Sequence, residues 1–401
     1  MKVNQISTML NSIYGEVLGT DNLFTENLSN IVDAGHIITS TTFGDNFDNY
    51  VHKIIDKVGR SIFVDRAYRA SDLGIWRDSW EYASMLEKIR CEVGNYTDND
   101  EWKLLDGEDE GDAPDYNSTA IVDKLFGFVA PTVSAKYFNK KTTFRNKISI
   151  TRKQLKSAFN GVSDMVRFIA MIENRIRTKQ EIGKEELERR VVTNLACAAI
   201  DADNVVELNV TGSTKTFEEA LKDKDLMRAM AEKITMTRKL LAQPSTQYSI
   251  TKRFMNFTPD DVARLILLDD FDVALKFNLY GDTYNESFVR LDGYRTIPYW
   301  QGRKNTGTDM DALSVRASVD ATAIVKGATD DATTTKRVQK SNLVGILFDR
   351  DAAMICNEEP EVTSQYNPDG NFTNFFYNYD CSYYNDFDEN ALVFVWTASE
   401  G

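Results

Sequence analysis

The side chains most able to do chemistry in this chain are few and poorly spaced for it. His36 and His52 are its two histidines; they sit far from any cysteine pair and lack HExxH spacing, so a zinc site is not indicated. Cys91, Cys197, Cys356 and Cys381 are scattered singly, without a CxxC pair or the density of a disulfide-stapled domain, and read as free thiols. The acidic run from Asp98 to Asp115 resembles a calcium loop in composition only. It has no glutamate at a twelfth position matched to a glycine at the sixth, which leaves only adventitious divalent-ion binding. GxxxxGKS/T, GxGxxG and GxSxG are absent, which removes the phosphate-cradling loops and the nucleophile elbow. Paired carboxylates of the glycosidase type stay open, because 61 acids make chance pairs plentiful and a sequence does not give their separation. The sequence therefore predicts a non-enzyme with no catalytic residues, no cofactor and no metal.

Charge is arranged for contact instead. Between Tyr96 and Asp123 ten acids face one base, Lys103; from Lys136 to Lys156 there are eight bases and no acid. Two separated blocks of opposite sign suit pairing between subunits, with solvated faces as the plainer reading. The residues expected to make intersubunit contact are Asp106, Glu108, Asp109, Glu110, Asp112, Lys136, Lys140, Lys141, Arg145 and Lys147. Exposed pairs contribute only about 0–1 kcal/mol each, so they would set register and specificity more than affinity.

The elements that must position these blocks follow from periodicity. Residues 1–46 carry isolated apolar side chains (Ile6, Leu10, Ile13, Leu18, Leu23, Leu28) and read as an N-terminal arm too sparse for a core of its own. Residues 47–65 predict a short helix, Phe47 to Val58, and a strand entering the next domain. Residues 66–150 hold strand-like runs at Met85 to Val93, Ala120 to Val129 and Tyr137 to Ile150. With no evident compact core, this excursion reads as an extended β-arm that reaches a neighbour. Residues 151–204 carry the strongest helix signal, from Ser163 as N-cap to Ala199, with Gly183 as its expected point of bending. Residues 205–357 mix a strand at Val205 to Val210, helices at Phe217 to Ala242 and Pro259 to Leu268, and strands ending in Tyr294 to Gln301. An exposed loop region follows at Gly302 to Ser341, then a strand at Leu343 to Phe348 and a helix from Asp349. Residues 358–401 are aromatic returning strands.

Composition bounds the class. At 401 residues and 42% apolar content the chain is globular, with room for two domains and extensions. A net charge of -14 argues against a dedicated nucleic-acid binder. The N-terminus does not read as a signal peptide, and no apolar run approaches the roughly 20 residues of a membrane-spanning helix. A cytoplasmic site of synthesis and no membrane partner are expected.

Four runs then sharpen the picture: WEYASMLEKIRCEV (Trp80 to Val93), TVSAKYFNKKTTFRNKISITRKQL (Thr132 to Leu155), IPYWQG (Ile297 to Gly302) and LVGILFDRDAAMICNEEPEVTSQYNPDGNFTNFF (Leu343 to Phe376). In this order they resemble major capsid proteins of tailed bacteriophages infecting Gram-positive bacteria, over about Phe47 to Trp396. The resemblance implies an α+β chain of the Hong Kong 97-type capsid fold. Residues 66–150 would be its E-loop, an extended β-hairpin. Residues 151–204 would be the spine helix of the peripheral domain, 205–357 the axial domain, and 358–401 the returning peripheral strands, turning at Asn367-Pro368-Asp369-Gly370. It implies self-assembly through hexamers and pentamers into an icosahedral shell around double-stranded DNA, touched weakly and non-specifically. It also implies a portal protein and a separate scaffolding protein, since nothing before Phe47 resembles a fused scaffolding segment. A lysine-to-asparagine crosslink is not identified; Lys140 or Lys141 beside Asn139 reads as electrostatic. An encapsulin-like nanocompartment shell protein and a phage tail or neck structural protein are the alternatives.

Overall fold

The computed structural model describes residues 3–18, 23–39, 50, 53, 73, 75–79, 86–91, 133–138, 141–151, 153–154, 161–278, 293–300, 312–329, 332–357 and 361–399. The first of these are helical: α1 (Val3–Leu18) and α2 (Ile31–Thr39). Ile6, Leu10 and Ile13 recur at helical spacing and are buried, as are Phe24, Leu28, Ile31, Ala34 and Ile38. The Asn11 amide fixes the return between the helices, donating to the Phe24 carbonyl and accepting from the Phe24 N–H, both at 2.7 Å. This corrects the reading of a sparse arm. Of those isolated apolar residues, Ile6, Leu10, Ile13 and Leu28 are buried in a helix pair that lies on its own chain. The helix predicted from Phe47 to Val58 lies largely outside the described residues; its Tyr50 is buried, with the hydroxyl donating to the Leu10 carbonyl at 3.3 Å.

Strands β1 (Trp76–Ser79), β2 (Leu86–Cys91), β3 (Val133–Phe138) and β4 (Lys141–Thr151) follow. The expected strand at Ala120 to Val129 lies outside the described residues. β2 and β3 pair antiparallel as a two-stranded ribbon joined by residues 92–132. Helix α3 (Val162–Asp201) then runs 40 residues, unbroken through Gly183. Its N-cap is Gly161, not Ser163, and offers no side-chain acceptor; Asp164 does lie in the first turn.

Beyond β5 (Val205–Glu207), the helix expected from Phe217 to Ala242 is divided into α4 (Phe217–Ala220) and α5 (Lys224–Leu241). Each half has its own cap. Thr216 and Glu219 form a capping box, and Asp223 accepts from the Asp225 and Leu226 N–H groups. The expected helix at Pro259 is one turn, after which Ala263–Leu268 is strand β6. The run ARLILL is almost wholly buried inside a sheet, and a run with no polar face carries no period to separate strand from helix. Helix α6 (Asp269–Asn278) and strand β7 (Tyr294–Ile297) come next.

The stretch expected to be an exposed loop holds α7 (Leu313–Arg316) and a hairpin, β8 (Val319–Lys326) with β9 (Thr333–Lys340). Its Thr and Lys content disguises an alternation that buries Val319, Ala323, Val325 and Val338. Strand β10 (Leu343–Asp349) ends in a single turn at Arg350–Ala352, where a helix was predicted, and β11 (Ala353–Asn357) follows. β12 (Glu361–Asn367), β13 (Phe372–Asn385) and β14 (Ala391–Val395) complete the chain. The β12–β13 turn falls where Asn367 to Gly370 predict it. Asn367 Oδ1 accepts from the Asp369 and Gly370 N–H groups, and Asn371 takes the left-handed conformation at φ 49°.

Apart from the β2–β3 ribbon and the β8–β9 hairpin, these strands form two five-stranded sheets joined end to end, β10 running on into β11 and β13 into β14. In the first, β13 has β4 along one edge and β12 and β11 along the other, with β1 beside β11. In the second the order is β5-β14-β10-β6-β7. β10 and β14 are buried at every residue. At Gly345 a Cβ would come within 2.7 Å of the Ile266 carbonyl of β6, so only glycine fits there. The first half of α3 packs Met165 and Phe168 with α1, α2, Ile148, Ile150, Phe375 and Tyr377; its second half enters the core of the other sheet. Each fully buried aliphatic side chain contributes about 1.5–3 kcal/mol, and α3 ties the two cores together.

Candidate functional site

Where the sheets meet, β10 passes into β11 and β13 into β14 side by side, and the second crossing, Asp386 to Asn390, is acidic. Asp386, Asp388 and Glu389 are all buried there. The loop is held by its own neighbours. The Asp386 N–H donates to the Ala352 carbonyl at 2.9 Å, the Asp388 N–H to Asp386 Oδ1 at 3.2 Å, and the Thr251 hydroxyl to Asp388 Oδ1 at 2.8 Å. The Asn256 amide donates to the Asp388 carbonyl.

Three cations from the β2–β3 ribbon enter this acidic crossing. Side chains alternate between the faces of a strand, so Lys88 and Arg90 share one face of β2 with Lys136 of β3. Lys88 Nζ lies 2.7 Å from Asp386 Oδ2 and 2.6 Å from Glu389 Oε1. Lys136 Nζ lies 2.8 Å from both Asp386 Oδ1 and Asp388 Oδ2. Arg90 pairs with Glu389, donates to Asn256 Oδ1 at 2.8 Å and lies over the Phe254 ring at 5.2 Å. Phe138 stacks on Tyr384 with ring centroids 4.0 Å apart. The ribbon is thus clamped to the body by three cations on three carboxylates and one aromatic stack. A cavity of about 670 Å³ lies beneath it, lined among others by Asn194 of α3 and Ile324 of β8.

The electrostatics are those of a mutual clamp. Burial pushes the Asp386 carboxyl up, but Lys88 and Lys136 outweigh it and hold it below its ordinary 3.8. Burial pulls Lys88 and Lys136 down, and their carboxylate partners lift both above 10.5. Asp349, at the end of β10, is raised by burial, partly offset by hydrogen bonds from the Asp351 N–H and the Thr258 hydroxyl. Opposite charges matched in number hold the ribbon in position. Among the described residues no group of three or more His, Cys, Asp and Glu is arranged to hold a metal ion, and no described helix is long and apolar enough to cross a membrane.

Of the residues singled out from sequence, Asp106, Glu108, Asp109, Glu110, Asp112 and Lys140 lie outside the described residues, and of Lys141 only the backbone in β4 is described. Arg145 and Lys147 are exposed on β4 and flank the Phe376 ring at 5.8 and 5.7 Å. Lys136 is bound within its own chain. Lys88, Arg90, Asp386, Asp388 and Glu389 were not anticipated. Their signal is the Lys-Ile-Arg-Cys alternation of β2 and an acidic DFDE at the end of an aromatic strand.

The family model for the Phi29-like phage major capsid protein matches residues 10–395. The chain belongs to that family. It is a structural component of a phage shell, which decides against the nanocompartment and the tail or neck readings. Among solved structures, this capsid protein is similar to the capsid structure of Staphylococcus phage Andhra, with TM-score 0.51 and 9% identity over 82% of this chain and 84% of that one. It also matches the cyanophage P-SCSP1u capsid, at TM-score 0.41 and 9% identity over 83% and 90% of the two chains. The cyanophage Pam1 capsid asymmetric unit gives 0.42 and 10% over 83% and 91%. No curated protein matches the chain. The fold is the Hong Kong 97-type capsid fold, α+β as the resemblance implies.

Proposed function

We propose that this capsid protein closes, as hexamers and pentamers, into an icosahedral shell around packaged double-stranded DNA, and that its β2–β3 ribbon is the base of an E-loop that reaches a neighbouring copy. The ionic clamp is the observation that carries this reading. A ribbon of two strands is marginal alone, and anchoring it at the junction of both sheets fixes the direction in which residues 92–132 leave the body. The first sheet with α3 then serves as the peripheral domain and the second sheet with α5 as the axial domain.

The acidic residues Asp106, Glu108, Asp109, Glu110 and Asp112 would meet Lys140, Lys141, Arg145 and Lys147 of a neighbour, setting register. A separate scaffolding protein and a portal protein would complete assembly in the host cytoplasm, with weak contact to DNA and no catalytic role for the chain. Reversing charge at Lys140, Lys141 and Arg145 tests the contact. Closed particles counted by electron microscopy should fall in number and become more salt-sensitive; unchanged yield and salt response would contradict it.

A further inference from the structure

The β2–β3 ribbon is inside out. Its charged face, Lys88, Arg90 and Lys136, is turned to the body, so the opposite face must be turned to solvent. That face consists of three cross-strand pairs: Cys91 with Val133, Ile89 with Ala135, and Glu87 with Tyr137. Ile89 is 66% exposed, Val133 59% and Tyr137 57%. The segment beside it repeats the inversion. Phe254 and Asn256 are buried against the clamp and Thr258 against Asp349, while Met255 and Phe257 are 52% and 59% exposed.

A ribbon serving only a free subunit would turn its apolar face to the body and its charged face to water. Here it cannot turn over, because doing so would strip Asp386, Asp388 and Glu389 of their cations.

Building on the E-loop reading, we propose that the stripe of Ile89, Cys91, Val133, Ala135 and Tyr137 is an apolar contact surface for a second copy of this chain. A shell protein is surrounded by copies of itself, and a ring or cage is closed by unlike patches of one sequence meeting each other. Glu87 is the one charged residue of this face, and its Oε1 accepts from the Tyr137 hydroxyl at 2.9 Å, so nothing on it suits a polyanion. Tyrosine and isoleucine on a rigid strand lose little conformational freedom on being covered.

Cys91 is a natural reporter, exposed on the stripe while Cys197 and Cys381 are buried. Maleimide labelling should modify Cys91 readily in the free subunit and at least about tenfold more slowly in assembled particles, with Cys91→Ser particles as the blank. Equal rates in both states, or a free subunit already protected, would overturn the proposal. Limited proteolysis of residues 92–132 on the same samples separates the two readings. Proteolytic protection in particles with Cys91 still reactive sinks the stripe alone; if both stay accessible, the E-loop reading falls with it. As a second measure, Ile89→Asp with Val133→Asp should leave the melting curve of the free subunit unchanged and lower particle yield.

Discussion

Asp386 is nearly sealed from solvent and yet stays ionised, because Lys88 and Lys136 flank its two carboxylate oxygens. A carboxyl held below 3.8 contributes stability that is complete above that value and lost as pH falls through the lower folded one. Lysines lifted above 10.5 contribute in full below it and lose their part as pH rises through the folded value. The clamp is therefore whole across the neutral range and weakens in acid as Asp386 takes up a proton. Lys136→Met should lower the stability of the free subunit by a few kcal/mol at pH 7, no more than the roughly 3–5 of a fully buried pair, since the lysine is partly exposed. In urea unfolding, the gap from the parent should narrow as pH falls below 3.8. A gap that does not change with pH would mean that packing, not charge, holds the ribbon. Lys136 stands out in the sequence as part of a basic block. Its partner does not, because Asp386 is 250 residues away and only the fold brings them together.

At the scale of elements, α1 and α2 are a layer of the core and not an appendage. They cover Ile148, Ile150, Phe375 and Tyr377, the inner face of the first sheet. Deleting residues 1–39 should bare that face, broaden or abolish cooperative thermal unfolding and raise binding of an apolar dye; an unchanged melt would contradict the layer. Elements with a clean period and a visible stop were legible: the spine helix, strands β2 and β4, and the turn after Asn367, whereas β3 was not separated from the run read as Tyr137 to Ile150. Those misread share a cause. ARLILL is apolar on every side, the β8–β9 hairpin is polar on all but its buried face, and Ile6, Leu10 and Ile13 are too few to look like a helix until their neighbours in space are known. The clamp was the least legible part, because alternation on β2 shows two faces without saying which turns inward.

For the whole molecule, the ribbon's inward charge and outward apolar face divide labour between the subunit and the shell. Contacts within the chain set where the ribbon points; contacts between chains supply burial. A subunit of net charge -14 has good reason to join through neutral surface, since like-charged copies repel. The measurement that bears most directly on this is a reconstruction of the assembled particle at side-chain resolution. It should show a closed shell in which Lys88, Arg90 and Lys136 meet Asp386, Asp388 and Glu389 of the same chain, with Ile89, Val133 and Tyr137 against the next copy. A clamp formed between different copies, or an apolar stripe left facing solvent in the closed shell, would contradict it.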